Sequence, residues 1–546
     1  MAAATYISST SFSISGNVTS EFCVGRAVRC DCGTAGTFTG YITSSTYSTS
    51  TGKTTVVVHL DAGALTSQLS SASHGNDIPT SMCRATQASV GGVMLATSAI
   101  SVAGTDATKP ITPATQRQAV LSWVRDNLGK FPGITPPSLN LFCGDATSDS
   151  APVGTFTRST TGTRLGQAGL IESVAAGSPR REWDVAGNLL GWLFEGQSTN
   201  LILYNRAFST ASVWSIIGSS TITDTATTSP SGDGDAATLV WSATTNIHAI
   251  LQYVDIASGS AHSFSIFLKN FGAPYVELSL DDGSSNGIMA TFDLVNGTHL
   301  DPIVRGESTI PVAQMENWGN GWYRCSISGI NGTSTRVRSA VVLRNDYAIS
   351  WYPTSVGDAT TGVKIWGAQL EQKAAPSSLI FTTSAASSRS ADVWSVTINT
   401  SIYKQPEGSI LSVFDSVAGP ISGINNTVFG LHDGTLSNRI FLRSNNSTSG
   451  SHCLMVYGYE SQVDIHLTPA AKNAMKKCAI SYINNKTLFV ENGGTIANDT
   501  LCTIPTITTI NVGSGLSGAD ALNGHIKHLA YFPTALSDAQ LQAITL

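Results

Sequence analysis

Apolar and polar residues alternate in short runs along most of this 546-residue chain, and the runs end in Gly, Asn, Asp or Ser. A period of two places successive side chains on opposite faces of a strand, so the pattern predicts many short β-strands joined by tight turns. Residues 1–105 contain "FCVGRAVRC", "TFTGYITSSTY" and "KTTVVVHLDAG" and are expected to form a small β domain. Within it, the β-branched run from Thr54 to Leu60 suits a strand buried on both faces. The period changes once. In "PATQRQAVLSWVRDNL", Val120, Trp123, Val124 and Leu128 fall on one helical face, with Thr112 placed to cap and Pro113 at the first helical position. Gly129 and Pro132 close the segment. One short amphipathic helix is therefore expected inside a helix-and-linker segment, 106–137. Its apolar face must be covered by flanking β domains or by symmetry-related copies of itself.

After Pro132, Pro136 and Pro137, strand-like text resumes in "SLNLFCG" and "VGTFTRSTTGTR", and 138–200 reads as a β-rich connecting segment. In 201–382, "HSFSIFLKNFG", "YVELSLDDGSSNG", "GIMATFDLVNGT" and "TGVKIWGAQLE" carry the Asp-Gly and Asn-Gly turns of an antiparallel sandwich. A Ser- and Ala-rich stretch separates it from 388–546, where "GSILSVFDS", "NRIFLRSNN" and "CAISYINNKTLFVENGG" predict a second sandwich. That sandwich closes with a short terminal helix capped by Ser537. The fold class expected is thus mainly β: tandem antiparallel β-sandwiches after a small N-terminal β domain and one short amphipathic helix.

Composition narrows the partners. Charged residues are 12% of the chain, about half the ~25% usual in soluble domains. The net charge is −6 without Lys/Arg clusters, which gives neither nucleic acid nor anionic lipid a positive patch to bind. No apolar run reaches the ~20 residues needed to span a bilayer, and the first residues lack a basic stretch followed by an apolar core. No membrane insertion and no secretory route are expected. Nine scattered cysteines fit reduced thiols, and hence synthesis in a cytoplasm.

Several residues invite chemistry. Glycoside hydrolysis needs two carboxylates flanking the scissile bond. In "EWDVA", Glu182 and Asp184 fit a same-face spacing of two, but the third position is Ala186. Glu195, alone in the apolar "GWLFEGQ", has Arg180 and Arg181 upstream and is expected to serve as a buried ion-pair partner or backbone acceptor rather than a catalytic acid. "GSSNG" at 283–287 matches a nucleophile motif by letters, but its flanks predict a hairpin. Asp281 and Asp282 in that turn are the calcium candidates, although hard cations want more oxygens than one pair offers. No other metal or cofactor is expected. Cys30 and Cys32, with Cys23 nearby, read as packing thiols, and His525 and His528, three apart in a strand, as an edge and a core residue on opposite faces. Sugar rings stack on exposed aromatics. Trp351 and Tyr352, in a predicted loop before Pro353, and Trp318 are the glycan-contact candidates, while Trp322 alternates with Arg324 and reads as core.

Five stretches resemble bacteriophage tail-fibre, tail-spike and head-fibre proteins: "GTFTRSTTGTRLGQAGLIES", "SPRREWDVAGNLLGWLFEGQSTNLILYNRAF", "NGWYRCSISG", "GAQLEQKAAPSSLIFTTSAASSRSADVWSV" and "NGHIKHLAYFPTALSDAQLQAI". The second and fourth are the specific ones. Arg180, Glu195, Thr199, Asn200, Gln369, Glu371, Arg389 and Asp392 occupy the family-like positions that flank a carbohydrate-binding-module-like jelly roll. Glu195, Arg180, Glu371, Arg389 and Asp392 are accordingly expected to be structural. The C-terminal unit resembles a concanavalin A or laminin-G type sandwich, and residues 1–100 resemble the regions by which phage fibres attach to the virion. The resemblance implies a homotrimeric virion component, made in the host cytoplasm and carried on the tail or capsid surface. It would attach to other virion proteins through its N-terminal region and bind a host-surface glycan without catalysis. The alternatives are a polysaccharide depolymerase and a purely architectural capsid or collar fibre.

Overall fold

The alternating segments pair as antiparallel ladders throughout the computed structural model, which describes residues 2–74, 134, 136–145, 153–416, 425–445, 450–467, 474–518 and 520–546. The amphipathic helix expected at 113–128 lies outside the described residues. The chain divides into two units, Met1–Leu128 and Gly129–Leu546. Among the described residues no helix is long and apolar enough to cross a membrane.

In the first unit a seven-stranded sheet runs Ala2–Ala3, Ser71–His74, Ala27–Asp31, Thr37–Ser48, Lys53–Leu60, Ser11–Ser15, Thr5–Ser8. Its first and last strands are one stretch of chain interrupted at Ala4, so the sheet nearly closes on itself around Phe12, Phe22, Val28, Ile42, Val56 and Val58. A nearly closed sheet has a single interior. Lys53–Leu60 therefore buries Thr54, Val56 and Val58 and turns Thr55, Val57 and His59 outward, which corrects the expectation of burial on both faces. Cys30 is fully buried, and burial, with Cys32 beside it, pushes its thiol up to about 12.

The second unit holds two sandwiches, one inserted in the other. The outer sandwich has one sheet built on Gly524–Phe532, flanked by Glu407–Phe414 on one side and by Leu189–Phe194 and Leu139–Phe142 on the other. Its second sheet runs Glu460–His466, Gly450–Tyr457, Arg439–Asn445, Asn425–His432, Thr509–Val512, Val393–Thr397, Thr155–Thr157. The segment 138–200 thus supplies strands to both sheets, and its Trp192 and Phe194 pack on Trp394, edge-on at 5.0 Å and stacked at 6.2 Å. Burying such rings contributes roughly 4–6 kcal/mol each before entropy. The helix Asp538–Thr545 begins with a capping box, Ser537 and Gln540 each accepting from the other's backbone N–H.

Between Phe194 and Val393 the chain builds the inserted sandwich. One sheet runs Ser215–Ile217, His248–Asp255, Arg336–Arg344, Tyr275–Asp281, Gly287–Asp293, Thr298–His299. The other runs Thr221–Thr227, Ala236–Val240, Gly362–Glu371, Ala261–Phe271, Trp322–Ile330, Thr309–Asn317. Leu278, Leu280, Val341, Phe264, Ile365 and Ile327 meet between them. "GSSNG" is the hairpin turn between Tyr275–Asp281 and Gly287–Asp293.

Candidate functional site

The chain crosses between the sandwiches twice, and the crossings pair side by side as Ser198–Asn200 with Ser387–Arg389. This stem brings together residues far apart in sequence. Arg180 donates to Asp392 and to the Thr163 carbonyl (2.9 Å), and pairs with Glu195 at 2.8 Å. Arg158 reaches the other Asp392 oxygen at 3.0 Å and donates to the carbonyls of Thr160, Val174, Ala175 and Ser178. Glu195 pairs with Arg389 at 3.2 Å and accepts from the N–H and hydroxyl of Ser378 at 2.7 and 2.6 Å. Its backbone exchanges hydrogen bonds with Asp392, whose carboxylate accepts from Glu195 N–H and whose N–H donates to Glu195 C=O, both at 2.9 Å. Glu371, fully buried, accepts from Ser198, Gln369 and the N–H of Ser377.

Burial by itself would push the Glu195 carboxyl up, but Arg389, Arg180 and Ser378 outweigh it and hold it well below the usual carboxylate range. Burial likewise opposes the charge on Arg180, yet Asp392 and Glu195 reverse the balance and raise its pKa. Charges this dry persist only when paired. The arrangement ties the inserted sandwich to the outer one.

Beside the stem lies a cleft of about 310 Å³. The segment 138–200 lines it with Arg164, Glu182, Trp183 and Asp184, the inserted sandwich with Gln314, Glu316, Asn317 and Trp318. Trp318 is half-buried, its ring edge-on to Phe267 at 5.0 Å and its Nε1–H donating to Glu316 at 3.3 Å. Trp183 is flanked by the guanidiniums of Arg164 and Arg181 at 5.2 and 5.3 Å. A concave surface with an aromatic ring and several hydrogen-bonding groups suits a small polar ligand.

The cleft carboxylates are engaged by the protein. Glu182 accepts from Leu165 N–H and from His525 Nε2, each at 2.8 Å, and His525 Nδ1 lies 3.0 Å from both oxygens of Asp415. Burial would lower the His525 pKa, but Asp415 and Glu182 push it up to about 10. The strand Arg180–Trp183 stops before Asp184, which sits in the following turn and accepts from Ala186 N–H and Asn188 N–H at 3.0 and 2.8 Å. The period-two alignment expected through Glu182, Asp184 and Ala186 therefore ends at Trp183.

A second correction concerns the histidines. A bulge at Lys527 shifts the register, so Ile526 and Leu529 both face the core. His525 and His528 consequently share the opposite face and are both buried. His528 pairs with Asn140 at 2.6 Å and packs on Phe142; burial lowers its pKa to about 4. Neither is an edge residue, because Gly524–Phe532 is central in its sheet.

Trp351 and Tyr352 stand elsewhere, on the face of the inserted sandwich turned away from its core. Arg305 lies over the Trp351 ring at 4.2 Å and Arg338 over the Tyr352 ring at 4.6 Å. Both guanidiniums converge on Asp281 Oδ1, at 2.8 and 2.5 Å, while Tyr352 donates its hydroxyl proton to Oδ2 at 2.8 Å. Gly287 admits the edge of Trp351, since a Cβ there would meet Trp351 at 2.8 Å. Tyr352 N–H reaches Glu277 at 3.1 Å, and burial pushes that carboxyl up to about 8 despite Arg344. Asp282 instead caps its own turn, accepting from the N–H groups of Ser284, Ser285 and Asn286, and accepts from Ser334. The two neighbouring aspartates thus serve separate networks. Of the three aromatic candidates, only Trp318 lines the cleft.

Sequence reasoning did not single out Arg158, Ser378, Asp415, Gln314 or Glu316. Arg158 sits in "TFTRST", indistinguishable from an exposed strand, and the others gain their partners only through the fold. The described residues also include one His/Asp cluster with metal-ligand spacing, His452, Asp464 and His466.

No protein-family model matches the chain, and no curated protein does. Similar solved structures include the CBM40 of Ruminococcus gnavus IT-sialidase bound to α2,3 sialyllactose, at 15% identity over 26% of this chain and 84% of that one, TM-score 0.23. Domain 4 of AbnA, a GH43 extracellular arabinanase from Geobacillus stearothermophilus in complex with arabinotriose, is similar at 12% identity over 29% of this chain and 73% of that one, TM-score 0.24. The SAP-like pentraxin of Limulus polyphemus is similar at 9% identity over 26% of this chain and 70% of that one, TM-score 0.22.

Proposed function

We propose that this chain is a non-enzymatic, glycan-binding component of a bacteriophage virion, a tail fibre, spike or head fibre that attaches through its N-terminal domain and acts as a homotrimer. The observation that carries the binding role is the cleft between the sandwiches, where Trp318 offers a ring to a sugar and Gln314, Asn317 and Glu316 offer hydrogen bonds. The virion role rests on the resemblance of the residues around Arg180–Asn200 and Gln369–Asp392. Many equivalent clefts on one particle would turn a weak single contact into firm attachment.

Absence of catalysis is supported by the state of the cleft carboxylates: Glu182 is held by Leu165 and His525, and Asp184 by its turn. A depolymerase remains the second reading because Glu182, Asp184 and Glu316 all line one cleft. Incubation with host cells and extracted surface polysaccharide tests both. Binding that Trp318→Ala abolishes, without release of reducing ends, supports the first reading; release of reducing ends supports the second; neither result leaves an architectural fibre. A monomer by native mass measurement at micromolar concentration would sink the trimer.

A further inference from the structure

The strands Gly450–Tyr457 and Glu460–His466 form the outermost hairpin of the second sheet of the outer sandwich. Their register sets His452 directly across from His466, and Leu454 across from Asp464. Cys453, Val463 and Ile465 point toward the core. Alternate residues share a face, so His452, Asp464 and His466 all project from the opposite side. The two imidazoles lie parallel, with centroids 3.9 Å apart and planes 11° apart. Both Nε2 atoms approach the same Asp464 oxygen, at 2.7 and 3.0 Å, and the three donor atoms lie within 4.8 Å of one another. Core packing does not require this convergence, since the Asp464 and His466 side chains are 58% and 44% exposed.

We propose that His452, Asp464 and His466 bind a divalent transition-metal ion of the zinc or copper(II) class. Two imidazoles and a carboxylate are the donors such ions prefer, whereas calcium and magnesium seek sets of oxygens. Ligands held at roughly 2.0–2.2 Å from a metal sit about 3 Å from one another, and both Nε2–Asp464 separations are already of that size; the two stacked rings must tilt so that their Nε2 lone pairs converge on the ion. Its arrival displaces the His452–Asp464 hydrogen bond and the His466 contact with the same oxygen; each neutral imidazole then gives its Nε2 lone pair to the ion with its proton on Nδ1, any proton leaving Nε2 passing to water while Nδ1 takes one up. Arg443, cross-strand from His452 on its other side, is directed to Asp520 at 3.6 Å. The ion staples the edge strand to its neighbour and leaves its remaining coordination positions open to solvent.

The test is calorimetric titration of the full chain, stripped with a chelator, using zinc alone and, separately, magnesium and calcium. One saturable zinc site is expected, with no magnesium or calcium uptake there. Affinity should fall at least about tenfold in His466→Ala and vanish in the His466→Ala/Asp464→Asn pair. Both positions are exposed, so unchanged circular dichroism should show that the variants fold. Zinc should raise the thermal midpoint of the wild type but not of the pair. Absence of saturable zinc uptake by the wild type, or equal uptake by the folded pair, would overturn the proposal.

Discussion

The stem and the rim of the cleft share the strand Arg180–Trp183, yet they hold charge in different ways. Arg180 is fully buried and meets Glu195 and Asp392. Two residues on, Glu182 reaches the cleft and meets His525. Guanidiniums stay charged at any accessible pH, whereas an imidazolium can lose its proton. The fold thus puts permanent cations where the sandwiches are joined and a titratable one, itself buried, behind the cleft carboxylate Glu182. The stem should answer to mutation, and the rim to both mutation and pH.

The largest effect should come from Asp392→Ala, which strands Arg158 and Arg180 in a dry site; about 3–5 kcal/mol of stability should be lost in urea unfolding. A loss below about 1 kcal/mol would mean that water reaches the stem. Glu195→Ala should act in the same direction, lowering thermal stability or folding yield, and a normally folded Glu195→Ala variant that had lost a hydrolytic activity would contradict the contrast.

His525→Gln should cost about 2 kcal/mol near neutral pH, the scale of hydrogen bonds to charged partners. Folding raises the His525 pKa from 6.5 to about 10, so its contribution is complete below about pH 6.5 and is lost as pH rises through about 10. The gap between wild type and variant should close over that window. Glu195 shows the reverse sign: its pKa is depressed, so its contribution is present above about 4.5 and disappears only as pH falls through a far lower value. His528, lowered to about 4 by burial, favours unfolding as pH falls from about 6.5 toward 4. An NMR titration that found the His525 imidazole near 6.5 would mean that Asp415 and Glu182 do not hold its charge in the folded chain, and the closing gap would then be absent.

Trp318→Ala should cost about 1 kcal/mol of stability, because its ring is only half-buried, while weakening polysaccharide binding at least about tenfold. Equal binding by wild type and variant would detach the cleft from recognition. The smallest change is expected from Trp351→Ala, which loses a cation–π contact worth about 0.5–1 kcal/mol and should leave polysaccharide binding unchanged.

The β class was legible because alternation and turn residues are local signals. The insertion was not, because Leu139–Phe142 and Leu189–Phe194 find ladder partners in Gly524–Phe532, at the other end of the chain; Glu182 and His525 are 343 residues apart. The pairing of Glu195 with an arginine was legible, since a lone carboxylate near two arginines calls for it. Its partner Arg389 and neighbour Asp392 came from the resemblance, and Arg158 from neither. The bulge at Lys527 reversed the assigned faces of the two histidines, and no residue type announces a bulge there. Likewise, "TTVVVHL" does not reveal whether one face or two will be covered; the near-closure of the small sheet decides it.

The paired crossing has one more consequence. Because Asp392 N–H meets Glu195 C=O at 2.9 Å, the two ends of the inserted sandwich leave the outer one at adjoining points. A short turn could bridge that gap with little distortion. The inserted sandwich therefore enters and leaves the outer one through a single paired crossing, and replacing 196–391 by a short turn should leave every strand of the two outer sheets with its ladder partners.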